Sequence, residues 1–100
     1  MQKTVKDFTH EFSLHTSPEI RYMDLVSEVG ELGKEIIKST NYGKEGFMKT
    51  SEMAEEAGDC LFSLLALCNE LDIDAEKALL QALCKYRQRF KQKGSIDSMP

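Results

Sequence analysis

Apolar residues recur at intervals of three and four along most of the chain, and no segment alternates apolar and polar positions over the length of a strand. Val5, Phe8, Phe12 and Leu14 predict a short first helix over residues 3–14. Ser17 then precedes Pro18, a capping residue followed by the imino acid favoured at the first helical position, and Glu19 adds a favourable charge at the helix start. The helix they open runs to about Ser39, with Tyr22, Leu25, Val26, Val29, Leu32, Ile36 and Ile37 as one buried face. Asn41-Tyr42-Gly43 ends it. Residues 43–50 hold two glycines and no period, which predicts a loop with Thr50 or Ser51 capping the next helix. That third helix extends from Ser51 to Leu71 and is broken by Asp72-Ile73-Asp74. Asp74 caps a last helix over 75–93 with an apolar stripe of Leu79, Leu80, Leu83, Tyr86 and Phe90; Gly94 stops it and 95–100 form a frayed tail. The fold class is all-α: an antiparallel bundle of about four helices.

At 100 residues the chain supports one domain, 1–100, so any site must share its single core. A nearly all-apolar third helix has too little chain to cover it, which predicts completion of the bundle by association. The net charge of -4 supplies no basic footprint and argues against duplex nucleic acid as a partner. Cys60, Cys68 and Cys84 lie among apolar neighbours, without CxxC spacing or nearby histidine, and read as reduced core residues. The first residues hold no apolar signal core and no apolar run is long enough to span a bilayer, which predicts a cytoplasmic protein without a membrane partner.

Charge changes this picture most on the second and third helices. At ~100° per residue, Asp24, Glu28, Glu31 and Glu35 fall within an arc of roughly 60°. Glu52, Glu56, Asp59 and Ser63 form an equally narrow stripe on the next helix, whose remaining positions from 57 to 68 are Ala, Gly, Cys, Leu and Phe. The first stripe alone passes as wet surface. The second sits in a helix fit for the middle of a bundle, where an unpaired carboxylate is costly. Lys34, Lys38, Lys85, Arg87 and Arg89 could neutralise it as a salt-bridge network. Alternatively the two helices run antiparallel and bring Glu28, Glu31, Glu56 and Asp59 round one point, where a divalent cation relieves their repulsion. Oxygen donors without imidazole or thiolate select magnesium, with manganese a substitute. Gly30 and Gly58 fit a close approach of the helices, since each weakens a helix interior by ~1 kcal/mol relative to alanine. A diiron bundle is excluded, because neither His10 nor His15 completes a Glu-x-x-His pair.

The paired motifs, Ser-Glu-Val-Gly-Glu-Leu-Gly-Lys-Glu-Ile at 27–36 and Glu-Glu-Ala-Gly-Asp-Cys-Leu-Phe-Ser-Leu-Leu-Ala-Leu at 55–67, echo each other and closely resemble the MazG-like nucleotide pyrophosphohydrolases of the all-alpha NTP pyrophosphatase group. The resemblance covers about residues 18–92 and implies association as a homodimer or homotetramer. It implies hydrolysis of a nucleoside triphosphate between its alpha and beta phosphates, giving the monophosphate and pyrophosphate. It implies too that Glu28, Glu31, Glu56 and Asp59 hold magnesium, and that Lys85 and Arg89, in a segment that looks like the family's last helix, lie near the phosphates. Leu83 stands where many relatives have asparagine, and Ser27 where a glutamate often precedes the first motif. Magnesium would then supply the positive charge that this acidic chain lacks toward a polyanion. One nearby carboxylate, Glu31, Glu35 or Glu55, would accept the proton of the attacking water. The competing expectation is a non-catalytic helical interaction module whose carboxylates pair with lysines and arginines.

Overall fold

The computed structural model describes residues 1–94 and contains four helices: α1 (Gln2–Glu11), α2 (Pro18–Ser39), α3 (Ser51–Glu70) and α4 (Ala75–Lys93). No strand occurs among the described residues, so the all-α class holds. The tail expected over 95–100 lies outside the described residues. No described helix is long and apolar enough to cross a membrane.

Local chemistry sets most helix ends where the sequence puts them. The Ser17 hydroxyl accepts from the Ile20 N–H at 3.4 Å, with Pro18 at the first helical position, and the Asp74 carboxylate accepts from the Lys77 N–H at 3.1 Å. Gly94 terminates α4 at φ +69, the left-handed conformation that glycine adopts without strain. Two ends differ from expectation. α1 stops at Glu11 rather than Leu14, because Ser13 turns left-handed (φ +54) and frees the Leu14 carbonyl, which accepts from Arg21 Nη2 at 2.5 Å. Thr50 is the N-cap of α3, yet its hydroxyl makes no capping bond and is buried without a partner. The start of α3 is served instead by Glu52, whose carboxyl is held below its usual value first by its own backbone N–H and then by the Ser51 hydroxyl.

α2 and α3 form an antiparallel hairpin. His15, just before α2, lies 3.1 Å from Glu70 at the far end of α3; Arg21 stacks over Phe62; and Glu28 meets Glu56 and Asp59. α1 lies across α3, with Phe8 edge-on to Phe62 at 5.9 Å and Gln2 bonded to Asn69. The Gln2 amide donates to Asn69 Oδ1 (2.9 Å) and the Ile73 carbonyl (2.6 Å) and accepts from the Ala75 N–H (2.8 Å), fastening α1 to the turn that launches α4. α4 itself is in only marginal contact with the other helices.

The core is therefore thin. Met53, Leu65 and Ala66 are the buried apolar residues among those described, and no large side chain is fully enclosed. The single buried face expected on α2 is not what forms. Leu25 and Leu32 are half-buried toward α3, while Tyr22, Val26, Val29, Ile36 and Ile37 stay exposed. Those apolar residues span an arc of ~140°, too wide for one neighbouring helix to cover. The stripe of α4 is likewise exposed, from Leu79 at 58% to Phe90 at 61%. Cys60 and Cys68 are half-buried and Cys84 is exposed, so the last is not the core residue its neighbours suggested; all three are free. Gly30 and Gly58 are exposed with nothing within 4 Å of where a Cβ would stand, so close helix approach within this chain does not explain them.

Candidate metal centre

The α3-facing side of α2 is built from Arg21, Leu25, Glu28, Leu32 and Glu35, spaced four, three, four and three residues apart. That spacing holds one direction along a helix and places two glutamates beside the leucines that make the contact. On α3 the corresponding line is Met53, Glu56, Cys60, Ser63 and Leu67. The hairpin thus sets Glu28 and Glu56 half-buried at one level, with Asp59 one turn on and exposed. Asp59 opens to solvent rather than lying inside the bundle, because the side of α3 that carries it has no helix over it at that height.

Glu28, Glu56 and Asp59 each present an oxygen such that all three lie within 4.8 Å of one another. Oxygens sharing an ion at ~2.1 Å bond length stand about 3–4 Å apart, so small rotamer adjustments would let the trio hold one. The Glu56 carboxyl is pushed above its usual value by desolvation first, then by the negative charge of Asp59, Glu28, Glu31 and Glu35. Every charge acting on it is another carboxylate. The donors are all hard oxygens, a set suited to a hard divalent cation.

The other expected residues are placed unequally. Glu31 is exposed one turn beyond Glu28, outside the trio yet close enough to raise Glu56. Glu35 is half-buried on the same line, 3.5 Å from Lys38. Asp24, the first member of the α2 stripe, lies 3.8 Å from Arg21. Glu55 is exposed and lies outside the trio. Lys85 and Arg89 lie on α4, away from the carboxylates, with Lys85 Nζ 5.1 Å from the ring of Tyr86. No ion pair joins α4 to α2 or α3 among the described residues, so a salt-bridge network through these cations does not form within the chain.

Two supporting residues escaped the sequence. Arg21 is 8% exposed; its guanidinium donates to the Leu14 carbonyl and lies 5.7 Å from the Phe62 ring centroid, which fixes the α1–α2 connection and the hairpin together. Its only signal is its place one turn before Leu25. Gln2 carries no sequence signal at all.

Residues 17–93 match the MazG nucleotide pyrophosphohydrolase domain. The chain belongs to that family. It is also similar to the uncharacterized protein YpjD of Bacillus subtilis (strain 168), 33% identical over 102 aligned positions that cover 91% of this chain and 90% of YpjD. No solved structure matches it. The MazG match begins at the Ser17 cap and ends with α4, so it takes in both acidic helices and leaves α1 outside.

Proposed function

We propose that the protein is a magnesium-dependent nucleoside triphosphate pyrophosphohydrolase that cleaves between the alpha and beta phosphates. The observation that carries this is the meeting of Glu28 with Glu56 and Asp59, from two helices, in a chain of the MazG family. Glu28, Glu56 and Asp59 would hold the ion, with Glu31 as a fourth ligand from the next turn of α2. When bound, the ion neutralises phosphate charge and activates water. Glu31 is the best placed of the three carboxylates for the water's proton, being exposed beside the trio, whereas Glu35 is engaged by Lys38 and Glu55 has no tie to the site. Lys85 and Arg89, one turn apart on α4, are a cationic pair suited to the phosphates once α4 is brought to the acidic face. α1 is assigned to the same single domain, because Gln2 bonds to the α3–α4 turn. The thin core and exposed apolar stripes favour a homo-oligomer in the cytoplasm, with no nucleic acid as partner.

Incubation with magnesium and a panel of canonical, deoxy and modified triphosphates should release pyrophosphate. Asp59→Asn should abolish that release while circular dichroism shows unchanged helix content; orthophosphate alone, or an active Asp59→Asn, rejects the assignment. The exposed apolar faces also suit a non-catalytic interaction module. Millimolar magnesium separates the two, since a metal site gains thermal stability from it and a surface network of ion pairs does not.

A further inference from the structure

The two histidines of the chain, His10 and His15, precede residue 17, where the family match begins. On a continuous helix, five steps of ~100° would set them ~140° apart on different sides. α1 ends between them instead. Ser13 turns left-handed (φ +54), the Leu14 N–H returns to the Thr9 carbonyl at 2.8 Å, and the buried Arg21 holds the Leu14 carbonyl. The chain, turned back in this way, brings the two imidazoles to 6.1 Å between ring centroids. From the end of α3, Glu70 reaches the second of them, with Oε1 3.1 Å from His15 Nδ1. An ionised carboxylate only accepts, so Nδ1 donates and carries the ring proton, which leaves Nε2 of a neutral His15 with its lone pair free. The Glu70 side chain is sheltered at 20% exposure, while that of His15 is open to solvent at 53%.

We propose that His10 and His15 form a second metal site, for a borderline divalent ion such as zinc, with Glu70 as the group that orients His15. Imidazole nitrogen is a donor such ions favour, and a carboxylate behind a ligating histidine fixes its tautomer and strengthens it as a ligand. The spacing fits. With zinc–nitrogen bonds of ~2.1 Å, two imidazoles on one ion at an angle of ~110–140° have centroids about 5–6 Å apart. The observed 6.1 Å therefore requires rotation of two exposed side chains and no backbone movement. Two protein ligands leave the other positions of the tetrahedron to water, so the ion is exchangeable. Once bound, it fastens the end of α1 to the α1–α2 connection and, through Glu70, to the end of α3. The donor set separates this site from the carboxylate trio, which offers oxygen alone and lies ten residues into α2, ~15 Å along the helix from Pro18. The inference does not depend on the magnesium assignment above.

Because the chain has two histidines, NMR reads each imidazole directly during a zinc titration of the full chain in millimolar magnesium. The ring C–H resonances of both should move together and saturate at one equivalent. His10→Gln should leave His15 unmoved at that zinc concentration, and His15→Gln should leave His10 unmoved; both rings are exposed, so neither change threatens folding. Glu70→Gln should weaken zinc binding by about 10-fold or more, the usual effect of losing the group behind a ligating histidine. Asp59→Asn should leave the imidazole shifts as they are. Zinc that moves neither ring, having gone to thiols or carboxylates, overturns the site. So does a His10 shift that survives unchanged in His15→Gln, which would make the two rings independent. Unchanged affinity in Glu70→Gln overturns the orienting role of Glu70. A failure to release pyrophosphate from triphosphates bears on the proposed reaction alone.

Discussion

Removing Arg21 tests whether the hairpin that carries the carboxylates is held by its guanidinium or by its stem. Arg21 is 8% exposed, with Nη2 donating to the Leu14 carbonyl at 2.5 Å and the guanidinium carbon 5.7 Å from the Phe62 centroid. A hydrogen bond from a charged donor contributes about 1.5–3 kcal/mol and a cation–ring contact ~1 kcal/mol. Against these stands Nε, buried without a partner, at a cost of about 1–3 kcal/mol. The polar group is thus worth on the order of 1 kcal/mol net, while the methylene stem packed at the hairpin is worth ~2 kcal/mol. Arg21→Ala should therefore destabilise by about 3 kcal/mol and Arg21→Met by about 1 kcal/mol, measured by urea unfolding at one fixed protein concentration. Magnesium stabilisation should survive in Arg21→Met, which keeps the stem between α2 and α3, and weaken in Arg21→Ala. If methionine proves as damaging as alanine, the guanidinium and not the stem holds the hairpin. If alanine lies within about 0.5 kcal/mol of wild type, the clamp does not exist.

Three further outcomes follow from other parts of the molecule. Glu56 has a folded-state pKa above its ordinary 4.5, so the folded, metal-free protein binds that proton more tightly than the unfolded chain; its penalty is present above the raised value and vanishes as the pH falls to about 4.5. The stability advantage of Glu56→Gln over metal-free wild type, followed by thermal unfolding, should accordingly shrink on acidification, and a pH-independent difference would contradict the crowding of carboxylates. Gly58→Ala, in a helix interior with nothing within 4 Å of the new Cβ, should stabilise by about 0.5–1 kcal/mol in a denaturant titration; a loss would mean that something covers Gly58 in solution. Gln2→Ala should cost about 1–3 kcal/mol and strip the Ala75 amide of its protection from hydrogen exchange, whereas unchanged protection would show that the α3–α4 turn does not need α1.

Helix ends were legible because they are decided within a few residues: Ser17 before Pro18, Asp74 three residues before Lys77, Gly94 after the last turn of α4. The motif pair was legible for the same reason, since Glu28, Glu56 and Asp59 each sit at a helical spacing that repeats in the next helix. What the sequence did not disclose is which neighbour each face meets. Tyr22, Leu25, Val26, Val29, Leu32, Ile36 and Ile37 satisfy the helical period as one group, and the period alone does not divide them into the leucines that touch α3 and the residues that do not. Arg21 was hidden by the opposite effect, a charged residue occupying a packing position that composition assigns to the surface.

The width of that apolar arc is itself the missing clue. A helix with one neighbour needs ~100° of apolar surface, and α2 has ~140°, with Leu25 and Leu32 at one edge and Ile37 at the other. The third helix makes the same point more strongly, being apolar nearly all round yet leaving Leu61 and Leu64 40% and 44% exposed. Each helix carries more apolar surface than its contacts within the chain cover, α3 for α2, and α2 together with α1 for α3. The carboxylates lie beside the α2–α3 contact, which is why Glu28, Glu56 and Asp59 converge while Lys85 and Arg89, on the helix with only marginal contacts to the others, do not reach them. In the proposed function the acids are therefore positioned by the hairpin, whereas Lys85 and Arg89 are positioned only by whatever orders α4.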